Sequence, residues 1–138
     1  MHGPESAFAT VVNPLHVVPK SDSIRPIIDP TASGVNACMQ QLPCKLPNLA
    51  NLTQYGYLGK RDLASGFHHC VLAPEARRFM AFRNPAMGAL QRYVALPFGA
   101  SQSLAIFCEL TAAATTIFQS QCDRRGLQVR ILRTATTS

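Results

Sequence analysis

The chain has 138 residues, 47% of them apolar and only 14% charged. That length fits one domain or a piece of a larger one, able to bury roughly two thirds of the surface that the unfolded chain exposes. No run of about eighteen apolar residues exists, which argues against a membrane span, and the net charge of +6 favours polyanionic partners.

The charged share is about half of the usual one, the mark of a core element belonging to a larger protein. The bases cluster as Lys60-Arg61, Arg77-Arg78-Arg83, Arg92, Arg124-Arg125 and Arg130-Arg133. Charge alone fits a solvated basic face as well as a phosphate-neutralising one. Met1-His2-Gly3-Pro4-Glu5 has neither the basic start nor the apolar stretch of a signal peptide. Five cysteines, with no Cys-x-x-Cys pair, point to reduced thiols in a cytoplasmic or nuclear setting. His68-His69-Cys70 would alternate faces on a strand and so could not converge on one metal.

In chain order, residues 1–12 read as a loose leader. Leu15 to Pro19 and Ile24 to Asp29 read as two strands joined by a turn at Ser21-Asp22-Ser23, a β-hairpin. Pro26 requires an edge position or a distortion there. Pro30 to Pro47 reads as irregular, and a short helix is predicted from Asn48 to Tyr55, stopped by Gly56. Tyr57 to Leu63 is predicted as a central strand carrying Asp62 near its end, and Phe67 to Leu72 as a second strand. Phe79 to Phe82 and Leu90 to Ala95 should pair as a hairpin around Asn84 to Gly88. A long helix is predicted from an N-cap at Ser101 to Arg124, burying a face that includes Phe107, Leu110, Ala114, Ile117 and Phe118. Gly126 should end it before a last strand from Leu127 to Val129. This order of elements is that of an α+β fold.

Two blocks carry the chemistry. The first is Lys60-Arg61-Asp62-Leu63-Ala64-Ser65-Gly66-Phe67, with a carboxylate just ahead of a Ser-Gly bend and an aromatic five residues later. The second is Leu96-Pro97-Phe98-Gly99, a glycine turn before the long helix. In this order, and with the hairpin Val17 to Asp29 ahead of them, they resemble the fingers and palm of a reverse transcriptase. The resemblance is to retrotransposon enzymes of the gypsy LTR or DIRS type and covers residues 13–129.

That resemblance implies an RNA-directed DNA polymerase domain of a retroelement polyprotein, with fingers and the first part of a palm. Its partners would be an RNA template, a DNA primer and deoxynucleoside triphosphates, and its cofactor Mg2+ or Mn2+. Lys20 and Arg25 stand where the family holds the triphosphate, a place where two cations suit the charge. Asp62 matches the first metal-binding aspartate, and Leu63 would offer its backbone carbonyl to the same metal. Phe67 matches the aromatic beneath the sugar, which disfavours a ribose 2′-hydroxyl. Phe98 and Gly99 match the turn that touches nucleotide and template, where backbone must come close.

Two departures stand out. Leu104 occupies a position where the family has proline. More consequentially, the family's Tyr-x-Asp-Asp turn should fall near residues 130–134, where this chain reads Arg130-Ile131-Leu132-Arg133-Thr134. No acid follows Asp123, and one carboxylate cannot hold two divalent ions. The expectation is therefore a truncated or frameshifted domain with a divergent tail over 130–138, inactive alone. The alternative is a non-catalytic nucleic-acid-binding remnant, which would bind duplex with steep salt dependence and lack a tight divalent site.

Overall fold

A computed structural model describes residues 8–133 of the chain as an α+β protein in two compact units. One unit combines the residues up to Gln41 with Ser65–Ser103, and the other combines Leu42–Ala64 with the chain after Ser103. The ends of the expected leader and tail, residues 1–7 and 134–138, lie outside the described residues.

The first unit holds both sheets. β1 (Val12–Asn13), β4 (Ala81–Arg83) and β5 (Leu90–Arg92) form one sheet in the order β1-β4-β5, with β1 parallel to β4 and β4 antiparallel to β5. β2 (Leu15–Lys20) and β3 (Ser23–Ile28) form the predicted hairpin, paired from Leu15↔Ile28 to Lys20↔Ser23. Both of its strands are edges, so Pro19 and Pro26 sit in the pairing without denying a third strand its donor. The hairpin expected around Asn84 to Gly88 also forms, closed by the Gly88 N–H donating to the Asn84 carbonyl at 2.7 Å.

The leader is shorter than expected. The Thr10 and Val11 N–H groups donate to the Arg78 carbonyl, and Val12–Asn13 joins the sheet. Asn13 supplies the reason: its buried amide donates to the Phe79 and Ala81 carbonyls, both at 2.9 Å, and its oxygen accepts from the Ser33 hydroxyl at 2.6 Å. A two-residue parallel strand carries no local signal in the sequence. The core beside it is Ile28, Val35 and Met80, packed on by Leu15, Leu72, Phe79, Phe82 and Tyr93 among others.

After β3 the chain turns at Asp29, whose Oδ1 accepts from the Thr31 and Ala32 N–H groups, both at 3.0 Å. Part of the supposedly irregular stretch then forms a single turn of helix, α1 (Val35–Cys38). The Ala32 N–H holds the Asp29 carboxyl below its ordinary value; partial desolvation opposes this, and the Thr31 N–H and His16, 3.7 Å away, add to it. A carboxyl depressed in the fold stabilises it fully above its unfolded value of 3.8, and that contribution disappears as pH falls through the folded value. Asp29→Asn keeps the acceptor but cannot titrate. Acid titrations of stability should therefore show a shallower loss below about pH 4 in Asp29→Asn than in the wild type.

Two predicted strands do not form. Tyr57 to Leu63 is irregular and lies outside both sheets, with Tyr57 99% exposed. Gly56, Gly59 and the charged Lys60-Arg61-Asp62 leave too short an apolar run to be buried on both faces as a central strand must be. Gly66–His69 is a 3-10 turn, and of the expected Phe67 to Leu72 strand only a bridge from Val71 to Ala95 remains. Pro74 starts a single helical turn, α2 (Pro74–Arg77).

The second unit is built on α3 (Ser103–Arg124), with a 3-10 helix at Leu49–Gln54 where the short helix was expected. Asn48 caps that 3-10 helix by accepting from the Ala50 N–H. Ser101 is not the cap of α3; its N–H is taken by the Asn36 side chain instead. The helix ends as predicted: Gly126, at φ +66, donates to Asp123 and Leu127 donates to Cys122, a Schellman closure. The expected last strand from Leu127 to Val129 is irregular.

The buried stripe of α3 differs from the predicted one. Of the expected face, Phe107 and Ala114 are half-buried but Leu110, Ile117 and Phe118 are exposed; Ala105 and Cys108 are buried instead, flanked by half-buried Thr111, Ala112, Thr115, Gln119 and Cys122. The threonines satisfy their hydroxyls on the helix itself, Thr111 on Phe107 and Thr115 on Thr111, so small polar residues can face inward. No helix among the described residues is long and apolar enough to cross a membrane.

Candidate functional site

In the first unit, three segments distant in sequence meet around Phe98. The Cys70 carbonyl accepts from the Leu96 N–H at 2.9 Å, and the Leu72 N–H donates to the Val94 carbonyl at 2.8 Å. This short pairing ties the chain after Phe67 to the chain before Phe98. The two rings lie 5.0 Å apart between centroids, tilted by 37°. From β3, Arg25 places its guanidinium 4.7 Å from the centroid of the Phe98 ring. His68 lies edge-on to Phe98 at 6.0 Å and is 6.3 Å from Tyr93.

The turn that carries Phe98 is held from several sides. Leu96 and Pro97 are buried, and the Ser103 hydroxyl donates to the Pro97 carbonyl at 2.8 Å. Asn36 clamps the far side, donating to the Gly99 carbonyl at 3.0 Å while accepting from the Ser101 N–H at 2.9 Å. Gly99 has φ +109, and a Cβ there would lie 2.0 Å from the Ile28 carbonyl oxygen. The glycine is thus required by the fold itself, because β3 passes directly beneath it.

Of the residues singled out in the sequence, Arg25, Phe67, Phe98 and Gly99 come together here. Lys20 belongs to the same unit, exposed at the turn end of β2. Asp62 and Leu63 belong to the second unit, in the exposed segment that is not a strand. Asn36 and Tyr93 are not among those residues, and His68 figures there only in the His68-His69-Cys70 run judged unable to share a metal. Asn36 acts on a turn 63 residues away, and no local pattern marks it. Burial raises the Tyr93 phenol above its ordinary value.

The basic residues are partly committed to structure. Arg77 donates to the Leu72 carbonyl, Arg83 to Gly88, and Arg92 to Phe8, whose ring it also covers at 4.4 Å. They keep their charge and so still contribute to the field. Among the described residues, no three His, Cys, Asp or Glu side chains come together to hold a metal.

No family model matches the sequence, and no curated protein matches it.

Proposed function

We propose that the chain is the fingers and first part of a palm of a retroelement reverse transcriptase, an RNA-directed DNA polymerase by descent that binds nucleotide without completing the chemistry. The support is the meeting of Arg25, Phe67 and Phe98. The family pattern names all three for the nucleotide pocket, and they come from three segments with no local reason to converge. The Arg25 guanidinium lies against the half-buried Phe98 ring, which fixes its position, and its charge suits a phosphate. Phe67, packed against Phe98, offers an apolar surface for a sugar lacking its 2′-hydroxyl. Lys20, on the same hairpin, adds a second cation for the triphosphate.

Asp62 would be the single carboxylate of the metal site, with the Leu63 carbonyl beside it. Where the family's two further acids stand, this chain has Arg130-Ile131-Leu132-Arg133, so Mg2+ or Mn2+ would not be held as a pair. RNA template, DNA primer and deoxynucleoside triphosphates are the proposed partners, drawn by the charge of +6.

Two assays test this. Primer extension with Mg2+ or Mn2+ should give no incorporation above background, and incorporation would overturn the inactive assignment. Titration with a deoxynucleoside triphosphate should show binding that Arg25→Ala weakens about tenfold, with Arg83→Ala unchanged. Phe67→Ala should narrow the preference for deoxy over ribonucleotides. Equal binding by the wild type and Arg25→Ala would sink the nucleotide pocket.

A further inference from the structure

In the second unit, the sulfurs of Cys44 and Cys108 lie 2.7 Å apart. Sixty-four positions separate them, one in the irregular chain before the 3-10 helix and one on the buried stripe of α3. A second contact holds the backbone around both. The Arg133 guanidinium donates through Nη1 to the Cys108 carbonyl and through Nη2 to the Lys45 carbonyl, next to Cys44. One planar fork therefore grips both sides of the thiol pair.

The geometry points to Cys44 and Cys108 as a redox-modification site, a dithiol that a peroxide converts to an intramolecular disulfide. Cys44 is the more accessible partner, whereas Cys108 is 4% exposed. Burial, followed by the hydrogen bond with the Cys44 thiol, raises the pKa of Cys108. These differences assign the order of events. The Cys44 sulfur attacks one oxygen of hydrogen peroxide, the O–O bond breaks, and the departing hydroxide leaves as water with the proton that the Cys44 thiol gives up. Cys44 is then a sulfenic acid. The Cys108 sulfur attacks the Cys44 sulfur, its proton goes to the leaving hydroxyl, and a second water departs as the S–S bond forms. The two sulfurs are oxidised by two electrons in total, and the peroxide is reduced.

The linkage would join Cys44, in chain with little regular structure, directly to the long helix. Closing so long a loop restricts the unfolded chain, and the unfolding midpoint of the oxidised protein should rise by several degrees.

Peptide mapping after hydrogen peroxide treatment is the test. Trypsin leaves Cys38 with Cys44 and Cys108 with Cys122, because no Lys or Arg cleavage site separates either pair. The mapping therefore uses the wild type alongside a Cys38→Ser, Cys122→Ser double variant. Both should yield the same linked peptide pair, each lighter by two hydrogens and separated by dithiothreitol. Cys44→Ser should abolish it without touching the buried sulfur, and Arg133→Met should slow its formation several-fold. Linkage through Cys70, Cys38 or Cys122 in its place, only dimers, or overoxidised thiols without a linkage would each overturn the proposal. A rate unchanged in Arg133→Met would remove Arg133 as the clamp.

Discussion

Gly99→Ala is expected to destabilise the first unit by about 3–5 kcal/mol, combining left-handed strain with a steric clash. The φ of +109 already disfavours any Cβ, and the nearest atoms are the Ile28 carbonyl oxygen at 2.0 Å, the Ile28 carbonyl carbon at 3.1 Å and the Pro30 ring at 3.2 Å. None is the free end of a flexible side chain. Ile28 is fully buried in the core, so β3 cannot retreat without disturbing Val35 and Met80. Small domains are stable by only about 5–15 kcal/mol, so the loss takes a large share of the total. Gly88→Ala provides the contrast. It has φ +64 but nothing within 4 Å of its added Cβ, so only strain of about 1–2 kcal/mol remains. Urea unfolding of both variants measures the difference. If Gly99→Ala proved as mild as Gly88→Ala, the close passage of β3 under the turn would be wrong. Whatever survives folded should also lose the nucleotide binding proposed for this site, because the displaced turn carries Phe98 away from Arg25.

Asn13→Leu should cost about 2–4 kcal/mol for a different reason. The substitution keeps the branched outline and the number of side-chain heavy atoms and adds apolar surface, which by burial alone would favour folding. Yet Asn13 is 2% exposed and serves three partners, the Phe79 and Ala81 carbonyls and the Ser33 hydroxyl. Removing the amide takes its donor from the two carbonyls, while the Ser33 hydroxyl keeps the Pro30 carbonyl at 3.3 Å. Ser33→Ala takes out one partner but leaves both carbonyls bonded, so its cost should be about 1 kcal/mol. The double variant should then cost less than the sum, since Ser33 has lost its Asn13 partner already. Thermal melts of the three proteins give the coupling. Strict additivity would show that the Ser33 to Asn13 bond contributes nothing.

Local chemistry made some elements legible and left others silent. The hairpin from Leu15 to Ile28 follows from two short apolar runs around a Ser-Asp-Ser turn, and the end of α3 follows from Gly126. Both signals lie within a few residues of what they specify. The apolar content of Tyr57 to Leu63 suits a strand, but among the described residues no strand pairs with it. On α3, Leu110, Ile117 and Phe118 were expected inside for their hydrophobicity, while threonines that bond their own helix took the inner face. The candidate site divides in the same way. From spacing alone, Arg25 would be a surface base and Phe67 a core ring; only the family pattern links them to Phe98. Asn36 and Asn13 escape because the contacts that matter most, to the Gly99 carbonyl and the Phe79 and Ala81 carbonyls, lie more than sixty positions away.

β1 ends at Asn13, and its partner begins at Ala81. During synthesis on a ribosome, the first strand must therefore wait for the chain through the β4 region before it can pair. The segment Leu42–Ala64, which interrupts the first unit, is made in between. Contacts this remote fold slowly, since the loop must close before any pairing rewards it. Until then Asn13 and the apolar side of the β2–β3 hairpin stay open to other chains, and vectorial production leaves a window in which a chaperone could hold the nascent hairpin.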